Sequence, residues 1–177
     1  MNGIYLIIPA EESEGLVWDP LQDLTFYEAI GRNSIKSDWV AQKARFLDDA
    51  HEKLNAGVVR PGGLVAAENL AHELLKKIRA ECELLPISVG GRRWELLNVL
   101  STVQEFDRSR SEVLANSDGR VFWVHKLSIP LNEAAWDIFT LSASNRASIF
   151  ATDRFVQASK ELKMKGVDFK RIGEFSP

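Results

Sequence analysis

Hydrophobic positions along this 177-residue chain recur with two different periods, and the period marks the elements. Ile4-Tyr5-Leu6-Ile7-Ile8 is apolar on both faces, which predicts a central strand. Residues 9–36 are interrupted by Pro9, Gly15, Pro20 and Gly31 and read as irregular. Between about Asp38 and Leu54, the residues Trp39, Val40, Ala44, Leu47, Ala50 and Leu54 recur at helical spacing. They predict a helix that Gly57 stops. Arg60-Pro61-Gly62-Gly63 reads as a turn.

Leu64-Val65-Ala66 then leads into a helix with Leu70, Ala71, Leu74, Leu75 and Ile78 on one stripe. Leu84 to Val89 is a strand, and Pro86 predicts that it is an edge or carries a bulge. Gly90-Gly91 is a hairpin turn that leads into a return strand from Trp94 to Val103. Further strands follow at Ser111–Leu114, Val121–Ile129, Asp137–Leu141 and Ser148–Ala151, with a turn at Asn116-Ser117-Asp118-Gly119. Phe122 and Val124 alternate with Trp123, His125 and Leu127. A second helix begins after Thr152, a good N-cap residue, with Asp153 suited to the helix dipole. Gly166 fits the left-handed residue that closes a helix, and Val167, Phe169 and Ile172 mark a last strand.

Residues 65–87 and 150–172 read alike, strand–helix–strand, and align without a gap at an offset of 85 residues. Ala66 falls on Ala151, Glu68 on Asp153, Leu70 on Phe155 and Ile87 on Ile172. The expected fold is therefore α+β in a single domain over 1–177. It has a largely antiparallel sheet, two similar strand–helix–strand units and an additional N-terminal helix.

Composition is that of an ordinary globular domain. The net charge is −3 and is unevenly placed. Residues 1–60 carry 10 acids and 6 bases, whereas 61–177 carry 15 acids and 16 bases. This balance argues against a dedicated nucleic-acid binder. A single cysteine, Cys82, excludes an intramolecular disulfide and reads as a small buried hydrophobe. The short apolar run Ile4–Ile8 reads as too short for a signal h-region, and no stretch approaches a membrane span. A reducing cytoplasm is the expected compartment.

Chemistry is sparse. His72-Glu73 opens like a zinc-protease helix, but Lys76 stands where the second histidine belongs, so His72 reads as a surface residue. His51 near Asp48 reads as a solvated helix face. His125 shares a strand face with Trp123 and Leu127 and is expected to be half-buried. Asp107-Arg108-Ser109-Arg110 brackets a serine with two arginines and reads as a solvated loop rather than a phosphate site. Trp94, Trp123 and Trp136 suit a core, while Trp18 and Trp39 lie in or near the acidic segment. No nucleophile elbow, dinucleotide fingerprint or P-loop is present in the sequence. No catalytic residue, metal ligand or cofactor is expected.

A set of motifs carries a family resemblance. Val65-Ala66-Ala67-Glu68-Asn69-Leu70 is similar to V-S-E-x-[LF] at a strand–helix junction, with Ala67 at the serine. Trp94-Glu95-Leu96-Leu97-Asn98-Val99-Leu100 is similar to y-x-x-[LV]-N-V-L. Asp107 with Arg110-Ser111-Glu112-Val113 follows D-x-x-x-S-E-V, and Phe150-Ala151-Thr152-Asp153-Arg154-Phe155 repeats the first motif. Gly166-Val167-Asp168-Phe169-Lys170-Arg171-Ile172 follows G-V-x-F-x-P-[IV], with Arg171 at the proline. In order and spacing these resemble the type-11 immunity proteins of bacterial polymorphic toxin systems, over about Leu64 to Ile172. The resemblance implies a cytoplasmic protein that binds and blocks a cognate toxin effector; charge and hydropathy argue against a nucleic-acid or membrane partner. The matched motifs read as scaffold, so the unmatched acidic segment is the expected partner surface. The candidates are Glu11, Glu12, Glu14, Asp19, Asp48 and Asp49 for charge, with Trp18 or Trp39 as anchors. The alternatives are a small enzyme built around His125 and an interaction module outside toxin biology.

Overall fold

The apolar run at the start of the chain forms a strand with a neighbour on each side, as its two-sided hydrophobicity predicts. The structure is a computed structural model that describes residues 3–13, 15–20, 26, 29–47, 53–59, 63–144 and 148–177. Its first strands are β1 (Gly3–Pro9), β2 (Leu16–Trp18), β3 (Gln42–Phe46), β4 (Ala56–Val59) and β5 (Gly63–Ala67). Helix α1 (Glu68–Lys77), β6 (Cys82–Val89), β7 (Arg92–Val99) and β8 (Thr102–Val103) follow. Then come β9 (Glu112–Ala115), β10 (Val121–Pro130), β11 (Ile138–Leu141) and β12 (Phe150–Thr152). Helix α2 (Asp153–Glu161) and β13 (Val167–Ser176) end the series.

These strands make two sheets. One runs β2-β3-β6-β7-β5-β4, and the other β9-β10-β13-β1-β12-β11-β8. Over six positions the two have the same plan, and β8, parallel to β11, is added at the end of the second. β3–β6 and β10–β13 are parallel pairs, and the pairs around them are antiparallel. In the first sheet β7 lies between β5 and β6; in the second β1 lies between β12 and β13. Registers agree from both sides. Glu95 pairs with Ala66 and Pro86, and Tyr5 pairs with Ala151 and Arg171. The strand that completes the second half therefore comes from the opposite end of the chain.

The halves meet through α1 and α2. One core cluster joins Ala71, Leu74 and Ile78 to Phe155 and Ala158, with Leu97 and Val99 from one sheet and Ile7 and Ala151 from the other. Two polar residues clasp the halves reciprocally. Asn55 Oδ1 accepts from Lys165 N at 2.7 Å, beyond α2, and its side-chain amide donates to Lys163 O at 3.1 Å. Asp137, just before β11, accepts from Arg79 N at 2.7 Å, beyond α1, and is buried. Arg79 adds an ion pair at 3.0 Å. Each half thus binds backbone groups just past the other half's helix.

The expected α+β architecture with an additional N-terminal helix does not form. The described residues are mostly β, with thirteen strands in two sheets and two helices. The helix expected over 38–54 is replaced over Gln42–Phe46 by β3, which lies between β2 and β6. Of the expected stripe, Ala44 lies on β3 and faces the core together with Phe46 two residues on, while Trp39 and Val40 precede the strand; pairing to two neighbours decides in favour of the strand. Residues 48–52 lie outside the described residues.

Pro86 marks neither an edge nor a bulge, because β6–β7 pair in continuous register from Cys82 to Val89. The two-residue turn puts Pro86 at a position that does not hydrogen-bond across to β7. On its other side, pairing to β3 starts one residue later, and the Pro86 carbonyl accepts from Trp39 Nε1 at 2.9 Å. Thr152 does not cap α2; its hydroxyl donates to Asp137 Oδ1 at 3.3 Å. Lys163, at φ +53°, is the left-handed residue that closes α2, with Met164 N donating to Ser159 O and Lys163 N to Lys160 O. Gly166, at φ +111°, serves a different purpose: a Cβ there would lie 2.0 Å from the Ala56 carbonyl oxygen of the other half.

Two predictions follow from this plan. Gly166→Ala should lose at least about 2 kcal/mol in urea unfolding, from backbone strain and from separating the halves. Second, Gly3 pairs with Glu174, so the first and last strands run side by side. A permutant that links Pro177 to Gly3 and opens the chain between Glu105 and Phe106 should unfold cooperatively, within about 2 kcal/mol of the parent. A chain lacking residues 1–10 should fail to fold in the same assay.

Candidate functional site

The β9–β10 hairpin gathers three exposed large apolar side chains, Leu114, Phe122 and Trp123. β9 is the outermost strand of its sheet, so its outer edge has no strand partner among the described residues. The tight turn needs Gly119 at φ +82°, and Gly119 N donates to Asn116 O at 3.0 Å. β10 carries two bulges: Ala115 and Leu114 face Val121 and Trp123, while Val113 and Glu112 face Val124 and Lys126. Phe122 and His125 are the extra residues.

The bulges break the alternation that the sequence predicts. Val121, Val124 and Leu127 point into the second-sheet core, with Val113 packed against it. Leu114 and Trp123 pair across the strands on the outer face, 48% and 52% exposed, and Phe122 is 51% exposed. The His125 ring meets Trp123 edge-on at 6.0 Å and is exposed. Trp123 is therefore no core residue, and His125 is neither half-buried nor on the face of Leu127. Trp94 is a core residue, and Trp136 is partly buried beside the second-sheet core.

The residues expected to bind a partner fall in different environments. Glu11 and Glu12 are exposed on a short 3-10 turn. Asp19 lies at the far end of β2 from them and is half-buried. Trp18 is 4% exposed and meets Phe26 edge-on at 5.4 Å, which removes it from the surface. Trp39 is half-buried, meets the same Phe26 at 5.0 Å and donates to Pro86. Glu14, Asp48 and Asp49 lie outside the described residues, as does His51.

The segment that carries Trp39 is pinned to the first sheet from below. Buried Asn98 accepts from Gly31 N at 2.6 Å and donates to Asn33 O at 3.0 Å and to Glu83 Oε2 at 2.9 Å. Glu83 also accepts from Ser34 and from Ile35 N. Burial would raise the Glu83 carboxyl, but these hydrogen bonds outweigh it and hold it below the usual carboxylate range. The paired arginines at 108 and 110 are engaged locally. Arg110 lies 3.8 Å from Asp107, and Arg108 covers the Phe106 ring at 5.1 Å. Cys82 starts β6, and burial pushes its thiol up to about 12.

One chemical cluster was not foreseen. Glu68 and His72 stand one turn apart on α1, and Glu95 on β7 joins them, with one ligand atom from each all within 4.8 Å of one another. Glu95 is 3% exposed, and its Oε2 has no hydrogen-bond partner. Burial pushes its carboxyl above the usual carboxylate range, against the pull of Arg93. The available signal was a single acid between apolar Trp94 and Leu96 on β7, but its partners are 23 and 27 residues away and only sheet register brings them in.

The chain matches no known family model and no curated protein.

Proposed function

We propose that this chain is an immunity protein that neutralises a bacterial toxin effector by direct contact. The observation that carries the reading is the exposed apolar face Leu114–Trp123–Phe122 on an edge hairpin. Exposed aromatic residues in a polar surround are the usual core of a protein interface. Bulges gather where a strand must re-aim a side chain, and here they turn Phe122 and Trp123 outward. The order of motifs similar to type-11 immunity proteins supplies the class of partner. The acidic segment keeps a role in the proposal as steering charge, with Glu11 and Glu12 exposed. Asp19 and Trp39 would contribute at its margin. The proposed compartment is the cytoplasm, and among the described residues no helix is long and apolar enough to cross a membrane.

The test is co-expression with the product of a neighbouring toxin gene. Wild-type chain should relieve toxicity and co-purify as a stable complex. Trp123→Ala should weaken that complex by about 2 kcal/mol, roughly 30-fold in Kd. Reversing Glu11, Glu12 and Glu14 to lysine should slow association and flatten its salt dependence. Absence of rescue and complex would refute the immunity reading. Rescue with unchanged affinity in the Trp123 variant would move the docking surface elsewhere. Unchanged affinity and association rate in the glutamate reversal would remove the steering role.

A further inference from the structure

The two halves give an internal comparison for the Glu68–His72–Glu95 cluster. Register equates Glu95 with Tyr5, since each pairs with the residue two before its helix and with the matching residue of the following strand. Glu68 and Asp153 are the first residues of α1 and α2. In the second half this corner is closed by donors: Tyr5 Oη donates to Asp153 Oδ1 at 2.9 Å, and Gly3 N to Asp153 Oδ2 at 2.7 Å. In the first half the tyrosine is replaced by a carboxylate. Two acceptor groups then face each other, and the buried one has an oxygen with no donor.

A buried, unpaired carboxylate oxygen is costly and calls for a donor or a cation. Arg93 answers in part. Its Nη2 lies 3.2 Å from Glu68 Oε1 and 4.0 Å from Glu95 Oε1, but the side chain is 65% exposed and reaches the other oxygens only from outside. His72 adds an imidazole to the same corner, where the second half has Gln157. One nitrogen and two carboxylate oxygens, with the solvent side open, suit a divalent first-row ion.

We infer that Glu68, His72 and Glu95 form a divalent transition-metal site of the zinc type, which clamps the start of α1 to β7. One ligand atom from each residue already lies within 4.8 Å of the other two, and a bound ion would draw them to about 2.0–2.2 Å from itself. Arg93 is free to swing outward as the ion's charge replaces its own. The hard ions Mg2+ and Ca2+ favour all-oxygen shells and gain little from His72. The inference stands independently of the toxin-binding reading, because the cluster lies in the first half and the hairpin in the second.

The experiment is calorimetric titration of the full chain, stripped with chelator, with ZnCl2 at neutral pH. The comparison proteins are His72→Ala, Glu95→Gln and His125→Ala. The expected result is one equivalent bound by wild type and by His125→Ala, with affinity lowered at least tenfold in each of the other two. Zinc should also raise the melting temperature of wild type and not of Glu95→Gln. Glutamine keeps the shape of the side chain and His72 is on the surface, so both variants should fold; a melt without metal checks this. Equal zinc binding by wild type and the cluster variants would place the ion elsewhere and overturn the site. No binding by wild type would also overturn it, with Glu95 then satisfied by a proton shared with Glu68.

Discussion

Everything in the second half of this protein depends on one long-range pairing. β1 lies between β12 and β13, strands about 150 to 170 residues later in the chain. Ile4 and Leu6 belong to the second-sheet core, Ile7 belongs to the core between the halves, and Tyr5 and Gly3 satisfy the first residue of α2. Without β1 the second sheet would split into two edges, and α2 would lose the donors that hold its start. Pairing at such separation carries a large loop-closure entropy, so the strand must bring a large apolar gain on both faces. The run Ile4 to Ile8 provides it.

The halves then hold one another by equivalent means. Asn55 and Asp137 each accept the backbone beyond the opposite helix, and one apolar core runs between α1 and α2. Such a plan leaves each half free to vary where it does not touch the other. The helix start shows this freedom: a tyrosine–aspartate hydrogen bond in one half, a histidine and two glutamates in the other. The same backbone corner holds a neutral donor in one case and a surplus of acceptors in the other. The surplus makes the first half chemically distinct.

The hairpin varies in a different way. In the second sheet β10 is long and twice bulged, and it places Phe122 and Trp123 in water beside Leu114. In the first sheet the equivalent β3 is five residues long, and Phe46 meets buried Trp94 edge-on at 6.3 Å. The exposed part of β10 precedes the stretch that pairs with β13 and has no counterpart in the shorter β3.

The sequence by itself determined the strands with apolar residues on both faces, the two helices with their offset of 85 residues, and the turns at Gly90-Gly91 and Gly119. These rest on local physics: side-chain periodicity, glycine at positive φ and the reach of a few residues. It misread 38–54 as a helix, because Trp39, Val40, Ala44 and Leu47, spread over a loop and a short strand, match a helical spacing until the strand's neighbours are known. It placed Trp123 in the core, because a bulge inserts one residue without changing the local pattern. It left Glu95 unremarked, because one acid among apolar neighbours has no meaning until register sets Glu68 and His72 beside it. Those features belong to the tertiary structure alone, since pairing between distant strands decides which face a residue occupies and what it meets there.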